Sequence, residues 1–247
     1  MLTGFLEHPV PLAFAHRGGA AHAPENSWRA FEHAVRLGYE YIETDVQATA
    51  DGVLIAFHDR TLDRVTGQPG RVGRMTRKDL AGARVGGTEP IPALEDVLAA
   101  WPDVRFNIDL KDTPAVEPLA GVLRRTNAWD RVCVVSFSAS RLRAARRALG
   151  RPVCMAASPL GTAMVRLGTP LAGAGVQCLQ VPVPVATSSF IRRAHRLGLQ
   201  VHVWTVNDRP TMQALLDRGA DGIMTDDTVA LRDVLVGREQ WHPRVAG

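Results

Sequence analysis

The sequence lacks the features that mark membrane-spanning, disulfide-stapled and nucleic-acid-binding chains. It has three cysteines in 247 residues and no C-x-x-C pair, so neither a disulfide framework nor a zinc ribbon is predicted. No run of 18 apolar residues is present, which argues against an integral membrane segment. Lys and Arg exceed Asp and Glu by only 29 − 25 = 4, the arginines are scattered, and aromatic residues make up 6% of the chain, so a nucleic-acid surface is not expected.

What remains is an ordinary globular composition, with 46% apolar and 22% charged residues. Cys133, Cys154 and Cys178 lie in apolar stretches and are interpreted as buried thiols rather than ligands or bridges. The first 19 residues show no basic segment ahead of an apolar core and no small-residue cleavage site. We therefore predict a cytoplasmic protein, either monomeric or homodimeric, in a reducing compartment.

Short apolar runs alternate with longer amphipathic stretches along the chain. The strand candidates are Leu12–Ala15, Tyr41–Val46 with Val53–Phe57, Arg105–Leu110, Val132–Phe137, Val153–Ala157, Cys178–Val181, Val201–Val206 and Gly222–Thr225. The helix candidates between them are Ser27–Leu37, Ala93–Ala100, Ala115–Arg125, Ala139–Leu149, Thr162–Leu167, Ser188–Leu197, Thr211–Arg218 and Val229–Val236. Eight such units predict one α/β domain over residues 1–247, a (β/α)8 TIM barrel.

An open doubly wound sheet is the alternative architecture. The loop after the first strand reads AHRGGAAHAPENS and lacks the G-x-G-x-x-G of dinucleotide-binding proteins, which favours the barrel. One irregular stretch of about 59–92, rich in Gly, Arg and Thr, interrupts the alternation after the second strand. Connections of that length are commonly functional, so we predict a small insertion there.

Charged residues cluster where the predicted strands end, which is the functional face of a parallel barrel. Glu43 and Asp45 stand two residues apart near the end of the second strand. Asp109 and Lys111 stand two apart at the end of the third. Residues so spaced point to the same side of a strand, about 7 Å apart at Cα. Three carboxylates and an ammonium are therefore expected at one barrel mouth.

Three clustered carboxylates repel one another unless a cation neutralises them. Oxygen ligands with room for water favour Mg²⁺ or Ca²⁺ over zinc. Buried ion pairing, for example of Asp109 with Lys111, is the alternative interpretation. Because three carboxylates lie at strand ends beside two histidines, we predict that Glu43, Asp45 and Asp109 hold one divalent cation.

His16 and His58 each follow an apolar strand, and Arg17 follows His16. A single histidine at such a place is commonly structural, but two with an arginine supply an acid, a base and an anion clamp. That set suits phosphoryl transfer, with an imidazole moving a proton at either side of the phosphorus. Trp204, at the end of the seventh strand, could wall a binding pocket or plug the barrel, and Gln180 is a possible polar contact.

Several motifs resemble those of the glycerophosphodiester phosphodiesterase family. HRG at 16–18, PEN at 24–26, E-x-D-V at 43–46, DG at 51–52 and HD at 58–59 occur in the family's order and spacing. The later pieces NIDLK, VHVWTVND and GADGIMTDD match as well. The likeness runs from Ala15 to Asp227, which is nearly the whole chain, and its first block is very specific.

The resemblance implies a (β/α)8 barrel, a divalent cation, and hydrolysis of a glycerophosphodiester to glycerol 3-phosphate and an alcohol. By position, the family's acid–base pair corresponds to His16 and His58, and two of its metal ligands correspond to Glu43 and Asp45. The family's phosphate-contacting positions correspond to Arg17 and Lys111, and its aromatic position near the glycerol corresponds to Trp204. The stretch after His58 corresponds to the family's small inserted region.

Two positions depart from the family pattern. The third ligand is more usually Glu, and here it is Asp109, whose side chain is shorter by one methylene. The metal must then shift, a water must bridge, or the strand must sit closer. PENS replaces PENT, which should matter little because serine caps a helix as well as threonine.

Two other functions stay open at this point. A lysophospholipase D or sphingomyelinase D-like enzyme on the same scaffold would need an exposed apolar collar, for which Leu160, Met164 and Val183 are candidates. A non-catalytic binding module would have lost a histidine or a carboxylate, and none of these residues is missing from the sequence.

Overall fold

The structure, a computed structural model, describes residues 4–9, 11–169, 171 and 175–244. Its central sheet contains β1 Leu12–Ala15, β2 Tyr41–Ala48, β3 Arg105–Leu110, β4 Val132–Val135, β5 Cys154–Met155, β6 Cys178–Pro182, β7 Gln200–Trp204 and β8 Gly222–Thr225. Neighbouring strands pair in parallel in chain order, and β1 also pairs with β8. A single parallel bridge, Ala156 with Cys178, joins β5 to β6. The sheet is thus a nearly closed eight-stranded barrel, as predicted.

A helix follows each strand around the outside of the barrel. These helices are α1 Trp28–Arg36, α2 Leu94–Ala100, α3 Val116–Arg125, α4 Ala139–Leu149, α5 Pro159–Arg166, α6 Ser188–Arg196, α7 Arg209–Asp217 and α8 Thr228–Gly237. α5 begins three residues before its predicted start, because the Ser158 side chain caps it and Pro159 fits a first turn. In the described part of the chain, no helix has the length and apolarity to cross a bilayer.

Apolar side chains fill the barrel at the amino-terminal ends of its strands. Phe5 and Phe14 are fully buried there beside Tyr41. The Tyr41 hydroxyl donates a hydrogen bond of 2.7 Å to the carbonyl of Phe5, which satisfies its one polar atom in this core. This end of the barrel is packed with side chains, and the polar residues collect at the opposite end.

The insertion after β2 has a small core of its own. Leu54–Ala56 pairs antiparallel with β2 and lies outside the order of the barrel strands. Asp63–Thr66 forms a short helix, and Arg84–Val85 pairs with Glu89–Pro90. Eight buried side chains pack together here: Ile55, Phe57, Leu62, Val72, Leu80, Ala83, Val85 and Ile91. The stretch that looks irregular in sequence is therefore a packed unit against the barrel.

Candidate active site

A cavity of about 570 Å³ opens at the carboxyl ends of the strands, a size typical of small-molecule sites. All eight residues predicted to act in binding or chemistry line it: His16, Arg17, Glu43, Asp45, His58, Asp109, Lys111 and Trp204. The fold thus brings together side chains that are up to 188 positions apart (204 − 16). The convergence predicted from strand-end spacing is present in the structure.

The turn after β1 is hydrogen-bonded to a side chain of β2. Arg17 adopts a left-handed backbone with φ of 51°, which is uncommon for a residue other than glycine. In this conformation its N–H donates a 2.9 Å hydrogen bond to Glu43 Oε2. Gly18 follows with φ of 83°, and a Cβ there would lie 2.8 Å from the Cβ of Ala30. Only glycine fits that position, which explains the His-Arg-Gly order.

The three carboxylates are buried, and two cations contact them. Lys111 Nζ lies 2.8 Å from Asp45 Oδ1 and 2.6 Å from Asp109 Oδ2. Arg17 Nε lies 3.1 Å from Asp45 Oδ2. Asp109 Oδ1 is buried with no hydrogen-bond partner among the described residues. The candidate ligand atoms of Glu43, Asp45 and Asp109 are not all within 4.8 Å of one another, so the carboxylates line one wall without forming a tight cage.

The three carboxyl groups of this wall differ in the direction of their pKa shifts and in how far nearby cations neutralise them. Burial and the neighbouring charge of Asp45 raise the pKa of Glu43 to about 7. Burial would also raise the pKa of Asp45, but Lys111 and Arg17 hold it below its usual value. Burial raises the pKa of Asp109 in spite of Lys111. Glu43 and Asp109 are therefore the two carboxylates whose negative charge the protein's own cations neutralise least.

A carboxylate orients His16. Its Nδ1 donates to Asp226 Oδ1 at 2.7 Å, and its Nε2 lies 3.8 Å from Glu43 Oε2. Asp226 in turn accepts a 2.9 Å hydrogen bond from Asn207 Nδ2. Burial would lower the pKa of His16, but the Glu43 charge and the Asp226 hydrogen bond outweigh it and raise the pKa. The bond at Nδ1 leaves Nε2 as the nitrogen that can exchange a proton.

A chain of alternating charges runs from His58 to Arg17. His58 Nδ1 donates to Asp59 Oδ1 at 2.6 Å, and Arg64 binds the other oxygen of Asp59. The same guanidinium donates two hydrogen bonds, of 2.8 and 2.7 Å, to Glu25. Glu25 also accepts a 2.9 Å hydrogen bond from Arg17 Nη1. Because Arg64 donates to it, Asp59 has a pKa lowered to about 2 and stays a carboxylate beside His58.

The opposite wall of the cavity, from β4 to β7, is mainly apolar. Phe137 is 60% exposed and meets Trp204 edge to face, with ring centroids 5.7 Å apart. Val135, Ala157, Pro159, Pro182 and Val185 also line this side. Lys111 Nζ lies 5.8 Å from the centroid of the Phe137 ring, where the two walls meet.

The Glycerophosphoryl diester phosphodiesterase family has a sequence model that matches residues 16–230 of this chain. The chain belongs to that family. Among its relatives, Probable glycerophosphodiester phosphodiesterase 2 of Mycobacterium tuberculosis is 42% identical over 251 residues, covering 96% of this chain and 95% of the relative. A glycerophosphodiester phosphodiesterase of Caldanaerobacter subterraneus is 30% identical and covers 89% and 96%.

Solved structures show the same fold. A crystal structure of glycerophosphodiester phosphodiesterase from Agrobacterium tumefaciens matches with a TM-score of 0.81 at 23% identity, covering 92% of this chain and 99% of that chain. The predictions of the family, of the barrel and of a phosphodiesterase enzyme are therefore confirmed.

Some residues that contact the predicted site were given no role by the sequence. Asn26, at φ of 53°, donates a 2.9 Å hydrogen bond to Asp45 Oδ2 and accepts one of 2.8 Å from Thr44. Asp226 and Arg64 hold the two histidines through the contacts above. Asn26 lies in the PEN motif and Asp226 in the TDD motif, but a motif does not say which other side chains its residues will contact.

Proposed function

We propose that this family member hydrolyses glycerophosphodiesters to glycerol 3-phosphate and the free alcohol. One observation carries the proposal: a single cavity contains two imidazoles, each bonded through Nδ1 to a carboxylate, together with the Arg17 guanidinium and the Lys111 ammonium. A phosphodiester is a monoanion that needs charge neutralisation and two proton transfers. This set of groups supplies both.

The two histidines take the proton-transfer roles. With Nδ1 held by Asp226 or Asp59, each ring has Nε2 left to accept or donate a proton. One imidazole removes a proton from the nucleophile, either water or the neighbouring glycerol hydroxyl, as the new P–O bond forms. If the nucleophile is the glycerol hydroxyl, the product is a cyclic phosphate, which water then opens to glycerol 3-phosphate with the roles of the two imidazoles exchanged. The other gives a proton to the alcohol oxygen as the old P–O bond breaks. Arg17 and Lys111 contact the non-bridging phosphate oxygens.

The carboxylate wall fits a divalent cation. Glu43 is buried beside Asp45 with a raised pKa, and Asp109 Oδ1 is buried without a hydrogen-bond partner among the described residues. Hard oxygen donors of this kind suit Mg²⁺ or Ca²⁺. Glu43 and Asp45 would hold the ion, with Asp109 as the third ligand. When bound, the ion supplies further neutralisation of the phosphate charge.

A panel assay tests the proposal and the metal together. Release of glycerol 3-phosphate is measured from glycerophosphocholine, glycerophosphoethanolamine and glycerophosphoglycerol, with chelator, Mg²⁺ or Ca²⁺. We expect turnover that the chelator abolishes and one of the two cations restores. Turnover that persists in chelator would contradict the metal site, and the absence of turnover on every diester with either cation would contradict the function.

A lysophospholipid substrate is the second candidate, and the apolar wall favours it. Phe137 lines the cavity and is 60% exposed, and Leu160, at the start of α5, is 64% exposed. Of the other collar candidates, Val183 packs against the main core and Met164 is half-buried. Comparing kcat/KM on glycerophosphocholine with that on lysophosphatidylcholine separates the two, because only the lipid has an acyl chain for this wall.

A further inference from the structure

All three cysteines of the chain converge inside the barrel. Cys133 lies on β4, Cys154 on β5 and Cys178 on β6, and each is fully buried. Their sulfur atoms all lie within 4.8 Å of one another, and those of Cys133 and Cys178 are 4.0 Å apart. That separation is about twice a disulfide bond length of ~2.05 Å. Their burial was predicted from the apolar stretches around them, but their convergence was not.

This thiol cluster lies below the floor of the active-site cavity. Cys133 precedes the cavity residue Val135 by two positions, and Cys178 precedes Gln180 by two. Gln180 and Asn107 exchange two hydrogen bonds across the barrel, of 2.7 and 3.2 Å. Asn107 and Gln180 line the cavity, whereas none of the three cysteines does. The thiols are therefore not part of the phosphodiesterase machinery.

The spacing of the sulfurs matches that of a trigonal thiolate site. Metal–thiolate bonds are about 2.3 Å long, and three sulfurs in a plane around one ion are then roughly 4.0 Å apart. The Cys133–Cys178 distance is 4.0 Å, and the other two distances need to shorten by less than an ångström or not at all. Side-chain rotation at Cβ can supply movement on that scale.

We infer that Cys133, Cys154 and Cys178 form a binding site for a soft monovalent metal ion, of which Cu(I) is the best fit. Thiolates select Cu(I) over hard cations. Structural zinc sites have four ligands. Among the residues that the structure describes, no fourth His, Cys, Asp or Glu lies close enough to all three cysteines to complete such a site. The site is thus distinct in chemistry and in place from the hard-ligand wall formed by Glu43, Asp45 and Asp109.

The alternative is that the thiols are only small apolar packing groups. Burial and the neighbouring thiols raise the pKa of Cys133, so its thiol is protonated and unreactive in the absence of a metal. A metal must displace those protons, as it does at other thiolate sites. Packing alone predicts no metal retention, whereas the proposed site predicts one ion per chain.

The experiment loads the full-length protein anaerobically with Cu(I) supplied as its bicinchoninate complex. We expect one Cu(I) per chain to be retained, with thiolate-to-copper charge-transfer absorption and a first shell of sulfur alone in X-ray absorption. Thermal unfolding should shift to higher temperature, because the ion binds the folded state. To rule out slow access to a closed core, the same loading is repeated during refolding from denaturant.

Three variants and one matched control decide the result. Replacing each cysteine in turn, C133A, C154A or C178A, should weaken retention by at least about 100-fold and remove the thermal shift. If an alanine variant fails to fold, valine at that position retains more of the packing. The control is the double variant H22Q/H33Q, which removes two imidazoles whose centroids are 5.1 Å apart and should retain copper like the wild type. Failure of the wild type to retain Cu(I) even after refolding with it, or retention unchanged in the cysteine variants, would overturn the proposal.

Discussion

The two walls of the active-site cavity are built on different principles. On the wall formed by the ends of β1 to β3 and β8 and by the first residues of the insertion, side-chain partners fix both imidazoles and the side chains of Lys111 and Arg17. Lys111 contacts two carboxylates, and Arg17 contacts Glu25 and Asp45. On the wall formed by β4 to β7, Phe137 and Trp204 are held by packing against each other, and Phe137 is 60% exposed.

This contrast indicates where the reaction and the choice of alcohol are decided. Charged groups that must act on one phosphorus need fixed positions, and a network of ion pairs supplies them in a site of low dielectric. An apolar wall imposes only shape and area, so it tolerates different alcohols. We therefore expect changes on the charged wall to alter turnover on all substrates, and changes on the apolar wall to alter the ranking of substrates.

The largest effect is expected from removing either imidazole. H16A or H58A should lower kcat about 10³-fold on every diester, because each removes one proton-transfer group. Steady-state release of glycerol 3-phosphate measures this, with thermal unfolding to verify the fold. H195Q is the matched control, since His195 lies on α6 and bonds Asp221 away from the cavity. Near-normal turnover in either alanine variant would contradict the acid–base assignment.

The next effect concerns Asp226, which orients His16. D226N should lower kcat about 10- to 100-fold, because an amide cannot hold the same tautomer as firmly. The Asp226 hydrogen bond and charge raise the pKa of His16, so its loss should lower that pKa and move the corresponding limb of the pH–rate profile to lower pH. A profile with an unmoved limb and reduced turnover would show that Asp226 acts only on structure.

Some contacts of the site could be predicted from the sequence and others could not. Glu43 with Asp45 and Asp109 with Lys111 were predictable, because a spacing of two on a strand fixes a common side and parallel strands end at one rim. The contact of His16 with Asp226 spans 210 positions and depends on the side-chain geometry after β8, which no periodicity encodes. The meeting of the three cysteines was missed for the same reason, since it depends on which strands are neighbours and at what height.

The accuracy with which the sequence predicted each part of the fold depended on the local pattern of apolar residues. The strands Arg105–Leu110 and Gly222–Thr225 have the predicted bounds, because Phe106, Ile108 and Leu110 recur at the period of a strand and the run Ile223–Thr225 is bounded by Gly222 and Asp226. The insertion after the second strand was predicted but its packed core was not, because that core is assembled from single apolar residues separated by turns. Isolated apolar residues of that kind produce no helical or strand period.

A smaller effect is expected at Arg64, which links Asp59 to Glu25 across the insertion. R64Q should lower kcat/KM about 10-fold, because it frees both carboxylates and loosens His58 and Arg17 together. Arg74 in the same insertion gives the matched control, R74Q, since its side chain is exposed and lies outside this network. The double variant R64Q/E25Q should lose less than the sum of the two single variants, because both changes break the Arg64–Glu25 contact. Fully additive losses would show that the two residues act separately.

The smallest effect, and the one that tests the apolar wall, comes from Phe137. F137A should change kcat/KM on glycerophosphocholine by no more than about threefold, because no proton or charge on the phosphate depends on it. On lysophosphatidylcholine the loss should be larger, since burying an acyl chain against the ring contributes in proportion to apolar area. The ratio of the two kcat/KM values is the measurement. An equal loss on both substrates would mean that Phe137 serves the reacting group through its neighbour Lys111, and the division between the two walls would then fail.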